Sequence, residues 1–381
     1  MKLLFFTGSR SEWGYIRPIL EICKKKKINY EICATNMHLL DSFGNSVKEI
    51  EKDGFKVKEK IYMALDGYNN FTMTKSMFIL GSSFTDLIYR SKPDWVILAG
   101  DRGETLIASI VSAYTNTPIA HIQAGELSGN IDGQARHAIG KFAHLHFASN
   151  IDAYKRLIKL GEEKFRINLV GAPQLDDLKN SKKVFDNFNF IKEKYNLKFI
   201  KKKYMMVVYH PVTEEFKRTK ENVKTLCKSL EHFPESKVWI LPNNDAGSSV
   251  IKSEILNYKS TNNYIFDNLP RFEYLTLLNN SKILVGNSSS GILESSSFKI
   301  PTVNLGRRQN KRFRAKNVID VMKINHKSIM NAIRKSMSVK FEKEIKNIKN
   351  PYGDGKSASR IIEILKKTKI NDKLIFKNLT Y

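Results

Sequence analysis

Short apolar runs alternate with amphipathic stretches through the first half of the chain. The runs that predict strands span 2–6, 30–34, 95–99, 117–123 and 167–170. Apolar residues at helical spacing predict helices from about residue 15 and over 46–52, 73–89, 133–142 and 152–160. The Met and Phe residues of 73–89 are expected to lie in the core. Because strands alternating with helices are typical of a parallel sheet covered on both faces, the first half is predicted to be an α/β domain.

The second half repeats this alternation after an interruption. Gly171, Ala172 and Pro173 end the first pattern, and a polar, Lys-rich segment continues to about Lys203. Further strands are predicted at 204–209, 238–241, 282–286 and 301–305, with helices beginning near 291, 327 and 357. We therefore predict one α/β domain at 1–171, a linker region at 172–203, a second α/β domain at 204–356, and a terminal helix with a basic tail at 357–381.

Charged residues follow the predicted strands of the first domain. Asp101 and Arg102 come directly after one apolar run, and Glu126 follows the next. Because ligands bind at the carboxyl ends of strands in such sheets, these side chains and Asp132 are expected to face one cavity. Asp132 is predicted to be the N-cap of the helix that follows. The alternative is that Asp132 only caps this helix and that its basic face is solvated.

That helix also carries cationic and titratable candidates for substrate binding, Arg136, His137 and Lys141. Positions 137, 141 and 144 are spaced i, i+4 and i+7, which predicts that His137, Lys141 and His144 share one helical face. The turn at Thr7-Gly8-Ser9-Arg10, between a strand and a helix, is a plausible phosphate cradle with Arg10 as its counter-charge.

The second domain has polar groups at matching places. His210 ends its first strand, where ligands bind, although a structural role is the alternative. Asn243 lies in a polar turn and is either a ligand or a turn residue. The serines and glycine that follow a strand, at Ser288, Ser289, Ser290 and Gly291, either bind an anion such as a diphosphate at a helix N-terminus or only cap that helix. Glu294 is placed to accept hydrogen bonds from ribose hydroxyls, and Arg308 suits a phosphate.

The composition narrows the class of protein. With 381 residues, 41% of them hydrophobic, the chain can form two domains with separate cores. The net charge of +26 raises nucleic acid or a membrane surface as partners, but the lysines are scattered, and an anionic small substrate explains the sign as well. Three widely separated cysteines predict neither a disulfide framework nor a zinc site. With no signal peptide and no apolar run near twenty residues, a soluble cytoplasmic protein is expected.

Taken together, the motifs resemble one family over nearly the whole chain. Their sequences are TGSRSEWG, MHLLDSFG, GDR, AGE followed by IDGQARHAIGKFAHLHF, YHPVT, PNNDAGS, GNSSSGILE and GRRQ. In this order they resemble the hydrolysing UDP-N-acetylglucosamine 2-epimerases of sialic and legionaminic acid biosynthesis. Ala124, Gly133 and Gly140 depart from the usual family pattern.

The resemblance implies a GT-B type fold, in which two Rossmann-like domains hold a nucleotide sugar in a cleft between them, and it implies a homodimer. It assigns the nucleotide and its diphosphate to Arg10, Arg102, His210, Asn243, Ser288, Ser289, Glu294 and Arg308. It assigns catalysis to Asp101, Glu126, Asp132 and His210.

The implied reaction is an elimination followed by a hydration. The proton at C2 of the sugar is not acidic, so a carboxylate removes it only while the nucleoside diphosphate leaves C1, and donors must stabilise that leaving group. Water then adds to the 2-acetamidoglycal, which gives the free 2-epimeric sugar without a metal or redox cofactor. The substrate stays open among UDP-N-acetylglucosamine, UDP-N,N'-diacetylbacillosamine and a GDP-linked sugar. A non-hydrolysing 2-epimerase, a GT-B glycosyltransferase and a basic binding protein remain alternatives.

Overall fold

The chain folds into two compact units, each with its own parallel sheet. The structure is a computed structural model that describes residues 1–41, 44–66, 70–128, 131–179, 187–242, 247–258, 262–378 and 380. The first unit comprises Met1–Leu127, Ile131–Lys179 and Tyr352–Tyr381, and the second comprises Asn180–Pro351 with Ser128–Asn130. The prediction of two α/β domains is confirmed, whereas the predicted cleft between them stays a prediction.

The first unit contains a seven-stranded parallel sheet in the order β3-β2-β1-β4-β5-β6-β7. Its strands are β1 Lys2–Thr7, β2 Asn29–Thr35, β3 Glu59–Ile61, β4 Trp95–Ala99, β5 Ile119–Ile122, β6 Leu145–Ala148 and β7 Ile167–Leu169. Its helices are α1 Arg10–Lys25, α2 Val47–Lys52, α3 Asn70–Ser91, α4 Gly103–Tyr114, α5 Ile131–Phe142, α6 Ile151–Lys159 and α7 Asp176–Lys179, with 3-10 turns at Asn36–Leu39, Lys164–Arg166 and Pro173–Leu175. Every residue of β4 is buried, as expected for a strand covered on both faces.

The second unit contains a six-stranded parallel sheet in the order β10-β9-β8-β11-β12-β13. Its strands are β8 Tyr204–Val208, β9 Ser236–Ile240, β10 Asn263–Phe266, β11 Ile283–Gly286, β12 Thr302–Leu305 and β13 Val318–Val321. Its helices are α8 Phe188–Lys194, α9 Thr219–Leu230, α10 Ser248–Asn257, α11 Arg271–Asn280, α12 Ser290–Leu293, α13 His326–Ser336 and α14 Val339–Ile345, with a 3-10 turn at Thr213–Arg218.

The unit boundaries differ from the predicted ones at both ends of the second unit. The predicted linker contains α8, which packs on the second unit through Phe188, whose ring stacks on that of Tyr204 with the centroids 6.2 Å apart. The last helices, α15 Ser357–Lys367 and α16 Asp372–Ile375, return to the first unit. There Ile361, Ile362 and Leu365 join the same core as β1. The second unit is thus an insertion within the first.

Helix α3 differs from its predicted role. Met73 and Phe78 were expected in the core, but their exposed fractions are 58% and 71%. The helix packs on the sheet and on α4 through its other face, where Leu80 and Phe84 are fully buried. The prediction was wrong because apolar residues lie on both faces of α3, which periodicity alone does not separate.

The strand order of each sheet reverses between two neighbouring strands, β1 and β4 in the first unit and β8 and β11 in the second. At such a point the loops leaving the two strands diverge and open a crevice for ligands. The candidate residues in these loops are therefore well placed for binding. None of the described helices has both the length and the apolar character needed to cross a membrane.

Candidate functional site

One guanidinium joins two of the predicted catalytic carboxylates. Arg136, on α5, donates a hydrogen bond to Asp101, and its Nη1 lies 3.5 Å from Glu126 Oε2. Arg136 and Glu126 are buried, whereas the Asp101 side chain is 20% exposed. Ser149 also donates its hydroxyl to Glu126. Arg136, predicted as a substrate ligand, is therefore bonded to the carboxylates themselves.

The backbone of both loops is shaped to present these carboxylates. Gly100 has a φ of +83° and precedes Asp101, and its carbonyl contacts His121 Nε2 at 2.7 Å. Burial lowers the pKa of His121 to about 3, so the neutral ring can donate this hydrogen bond. Gly125 has a φ of +76°, and a β-carbon there would lie 2.6 Å from a backbone oxygen of α6. Glycine is thus required immediately before Glu126.

Asp132 lies in the first turn of α5 rather than at its N-cap. The helix begins at Ile131, two residues earlier than predicted, and Asp132 is half-buried. A carboxylate in the first turn of a helix is favoured by the partial positive charge there. The prediction that Asp132 is the N-cap was therefore wrong, although Asp132 still follows the loop that carries Glu126.

The predicted basic face of this helix is divided among different environments. His137 is half-buried, and burial followed by the charge of Arg136 lowers its pKa. Lys141 Nζ lies 3.2 Å from Glu162 Oε1 and also donates to Leu160 O. His144 lies beyond the end of α5, where its Nδ1 accepts the Ile119 N–H at 3.0 Å. The three residues therefore do not form one binding face.

The turn after β1 contains a buried carboxyl group that the sequence analysis missed. Glu12 accepts the Gly8 N–H at 2.5 Å and the Thr105 hydroxyl at 3.0 Å, which ties the turn after β1 to α4. Burial raises the pKa of Glu12 to about 7, and the charge of Glu104 acts in the same direction. The spacing Ser9-x-x-Glu12 is a capping-box pattern, which is the sequence signal from which Glu12 could have been identified.

The other two predicted arginines of the first unit, Arg102 and Arg10, also lie beside carboxylates. Arg102 Nε is 3.4 Å from Glu104 Oε2, and Asn36 also donates to Glu104. Arg10 is the first residue of α1, and its Nε is 3.4 Å from Glu49 Oε1. Arg10 was predicted to lie in the turn, and the helix instead begins at this residue because Ser9 caps it.

In the second unit, Asn287 organises the candidate residues. It accepts the His210 N–H at 2.7 Å and donates to the His210 carbonyl at 2.8 Å, which joins the loops after β8 and β11. Its own carbonyl accepts from Arg308 at 3.2 Å and from Gln309 at 3.1 Å. His210 itself is buried. Asn287 was not predicted as a site residue, because its role depends on groups far away in sequence.

The serine-rich turn is built differently from the predicted helix N-terminus. Helix α12 is a single turn, and the Gly291 N–H is already bonded to Ser288 O at 3.1 Å. The Ser288 and Ser290 hydroxyls are 3.0 Å apart, and Tyr274 contacts Ser290. A helix of one turn has little dipole with which to bind an anion. The hydroxyls of Ser289 and its neighbouring serines are therefore the groups available to bind an anion here.

Glu294 combines an anchored oxygen with an unpartnered one. Its Oε1 accepts from Arg271 at 2.8 Å, and the side chain is almost completely buried. Its Oε2 is buried without a hydrogen-bond partner among the residues that the structure describes. Because a buried acceptor left unsatisfied is costly, this oxygen is suited to a ligand hydroxyl.

Asn243 lies outside the described residues. Within the described ranges, no group of three or more His, Cys, Asp or Glu side chains is arranged to hold a metal ion.

Comparison with known proteins agrees with this architecture. The model of the family described as UDP-N-acetylglucosamine 2-epimerase matches residues 20–366. The chain is 34% identical to UDP-N,N'-diacetylbacillosamine 2-epimerase (hydrolyzing) of Legionella pneumophila, over 100% of this chain and 99% of that protein. It is 37% identical to GDP/UDP-N,N'-diacetylbacillosamine 2-epimerase (hydrolyzing) of Campylobacter jejuni, over 84% of each.

A solved structure supports the fold. The crystal structure of UDP-GlcNAc 2-epimerase from Neisseria meningitidis, bound to UDP-GlcNAc, superposes with a TM-score of 0.82 at 20% identity. The match covers 97% of this chain and 100% of that one. The GT-B type fold predicted from the sequence is confirmed.

Proposed function

The chain belongs to the UDP-N-acetylglucosamine 2-epimerase family, and from that premise we propose that it is a hydrolysing 2-epimerase acting on UDP-N,N'-diacetylbacillosamine. The names of two relatives, both hydrolysing enzymes for diacetylbacillosamine nucleotides, support this substrate. UDP-N-acetylglucosamine is the second candidate substrate. The product is the free 2-epimeric manno sugar, which suits the biosynthesis of sialic or legionaminic acids.

The observation that carries the proposal is the Arg136 bridge between Asp101 and Glu126. The reaction needs one group that removes a proton from C2 and another that returns a proton to the opposite face. Arg136 holds two carboxyl groups next to each other, so that one can act as the base and the other as the acid. Asp132 supplies the third carboxyl group.

The first step is the elimination. A carboxylate takes the C2 proton while the bond between C1 and the diphosphate oxygen breaks, and a double bond forms between C1 and C2. The nucleoside diphosphate leaves with the electron pair of the broken bond. In the second step water adds its oxygen to C1 and gives one proton to a carboxylate, while a carboxylic acid protonates C2. Asp101, Glu126 and Asp132 carry these transfers, with His210 as a further candidate.

We assign the nucleotide chiefly to the second unit. Oε2 of Glu294 is the acceptor for a ribose hydroxyl, and its partner Arg271 holds it in place. Arg308, with the hydroxyls of Ser288 and Ser289, donates to the diphosphate. Arg10 and Arg102 of the first unit add positive charge, which stabilises the leaving group as its negative charge grows.

We further propose that the enzyme is a homodimer formed through α3. Phe71, Phe78 and Tyr89 are spaced by seven and eleven residues, so they lie along one line of the helix, and their exposed fractions are 69%, 71% and 78%. Exposed aromatic surface of this kind marks interaction sites. Because most homo-oligomers are two-fold dimers, a second copy of the same helix is the proposed partner.

The experiment that tests the function follows the reaction by NMR in D2O with each sugar nucleotide separately. Release of UDP together with a free manno sugar carrying deuterium at C2 supports the proposal, and the faster substrate is the preferred one. A product that retains the nucleotide would instead indicate the non-hydrolysing reaction. Turnover only with a sugar acceptor would indicate a glycosyltransferase.

Variants then test the assigned carboxylates. Asp132→Asn and Glu126→Gln are expected to abolish turnover while UDP binding, measured by calorimetry, stays within about twofold. Glu363→Gln, on the exposed surface of α15, is the matched control and keeps full activity. Turnover by Asp132→Asn or Glu126→Gln at the rate of the control would remove that residue from proton transfer.

A further inference from the structure

Helix α5 carries Asp132 and Arg136 but is a weak helix by composition. Two of its twelve residues are glycines, Gly133 and Gly140. Glycine is among the poorest helix formers, because it loses the most backbone freedom on folding. A helix that holds catalytic groups in place therefore needs stabilisation from outside itself.

Lys377, near the end of the chain, provides such stabilisation at the C-terminal end of α5. Its Nζ donates to Gly140 O at 2.9 Å and to Lys141 O at 3.0 Å. The last carbonyls of a helix have no partner within it and carry partial negative charge. A cation bonded to two of them is consequently a cap contributed from a distant part of the chain.

The ammonium group of Lys377 is held in position by Glu162. Glu162 Oε2 lies 2.8 Å from Lys377 Nζ and 2.9 Å from His146 Nε2, and its Oε1 lies 3.2 Å from Lys141 Nζ. Although burial raises it, the pKa of Glu162 is lowered to about 2, chiefly by His146 and Lys377. This carboxylate is thus charged and joins the tail, α5 and β6.

Arg166 fixes the segment that carries Lys377. Its fully buried guanidinium donates to Leu374 O at 2.6 Å, to Lys373 O at 2.9 Å and to Phe376 O at 3.0 Å. Leu374 is itself buried in the core of the first unit. The C-terminal segment is therefore bonded through its backbone, and the Lys377 side chain is directed to α5 from a fixed point.

We propose that Lys377 is a positioning residue for catalysis: by capping α5 from the C-terminal segment, it fixes Arg136 against Asp101 and Glu126. The connection is short, because in an α-helix the Gly140 N–H bonds to the carbonyl of Arg136. Loosening the last turn of α5 thus loosens the residue that joins the two carboxylates. This inference rests on the proposed function for its kinetic consequence only.

The test compares Lys377→Met with Lys373→Met. Methionine keeps the length of the side chain but cannot donate, and Lys373 lies on the same segment with its Nζ over the Phe165 ring at 5.0 Å. In Lys377→Met we expect kcat to fall about tenfold with KM unchanged, and the amides of α5 to exchange hydrogen at least about fivefold faster. Lys373→Met is expected to match the wild type in both, and Lys377→Arg to recover most of the rate.

A second variant separates positioning from a general loss of stability. A β-carbon at Gly140 meets nothing within 4 Å, so Gly140→Ala strengthens α5 without a clash. Added to Lys377→Met, it is expected to restore at least half of the lost kcat and the slow amide exchange. Unchanged exchange in Lys377→Met, an equal loss in Lys373→Met, or no recovery with Gly140→Ala would each overturn the proposal. The exchange measurement needs no substrate, so it decides this inference even if the proposed reaction fails.

Discussion

Replacing Glu12 by glutamine will make the stability of the first unit less dependent on pH. The carboxyl group is buried between the turn after β1 and α4, and it accepts hydrogen bonds from Gly8 and Thr105. Burial, with the charge of Glu104, raises its pKa from 4.5 to about 7. The folded protein therefore holds this proton more tightly than the unfolded chain does.

The size of the effect on the free energy of unfolding follows from the size of that pKa shift. Where the folded state binds more protons, the free energy of unfolding falls as pH rises. The contribution of Glu12 is complete below about pH 4.5 and is lost between there and about pH 7, at about 1.4 kcal/mol per pH unit. The total loss is thus about 3 kcal/mol. Glutamine does not titrate, so Glu12→Gln avoids this loss, and the Thr105 hydroxyl can turn to accept from the new amide.

Urea unfolding at pH 5 and pH 8, at one ionic strength, measures the effect. In a Trp239→Phe background, which removes the tryptophan of the second unit, fluorescence reports on the first unit through Trp13 and Trp95, both buried there. Relative to wild type, Glu12→Gln is expected to gain between about 2 and 3 kcal/mol on going from pH 5 to pH 8. Glu21→Gln, a half-exposed carboxylate on the same helix, is the control. A difference between Glu12→Gln and wild type that stays constant within about 0.5 kcal/mol would refute the burial argument.

Three further predictions concern the site, the fold and the assembly. Arg136→Lys keeps the charge but loses the planar fork that joins two carboxylates. We therefore expect kcat to fall about 100-fold with KM nearly unchanged. A kcat equal to that of the wild type would contradict this role. Gly286→Ala puts a β-carbon 2.0 Å from a carbonyl oxygen of β8 at a φ of +135° and should lower the free energy of unfolding by about 3 kcal/mol or more. Gly14→Ala, where nothing lies within 4 Å, should not destabilise. Phe78→Glu should convert the dimer to a monomer in light scattering, whereas Phe216→Glu, on the second unit, should not; a dimeric Phe78→Glu protein would exclude α3 as the interface.

The strands of both sheets were largely predictable, because buried parallel strands are continuous apolar runs. The run Trp95–Ala99 is such a case, and its sequence alone locates β4. Strand β6, Leu145–Ala148, was missed, because it follows α5 after two residues and contains His146. Histidine is a polar residue in a sequence pattern, and its burial here is explained by the hydrogen bond between His146 and Glu162.

The candidate site was predictable where residues follow strands directly. Asp101 and Glu126 end neighbouring strands, so their approach follows from the topology of a parallel sheet. The role of Arg136 was not predictable, because a cation on a helix face has the same pattern whether it binds a substrate or a carboxylate. Lys377 lies 237 residues from Gly140 in the chain, and local pattern carries no information about that contact.

The insertion of the second unit into the first has a consequence for synthesis on the ribosome. The core around β1 includes Ile361 and Ile362, which are translated only after all of the second unit. Apart from Ser128–Asn130, the second unit is the continuous segment Asn180–Pro351. The whole second unit has therefore been synthesised before the core of the first unit can close. A nascent chain stalled before Tyr352 would therefore hold a nearly complete second unit and a first unit whose core is still open. The first unit would thus complete its core only after Tyr352–Tyr381 has been translated.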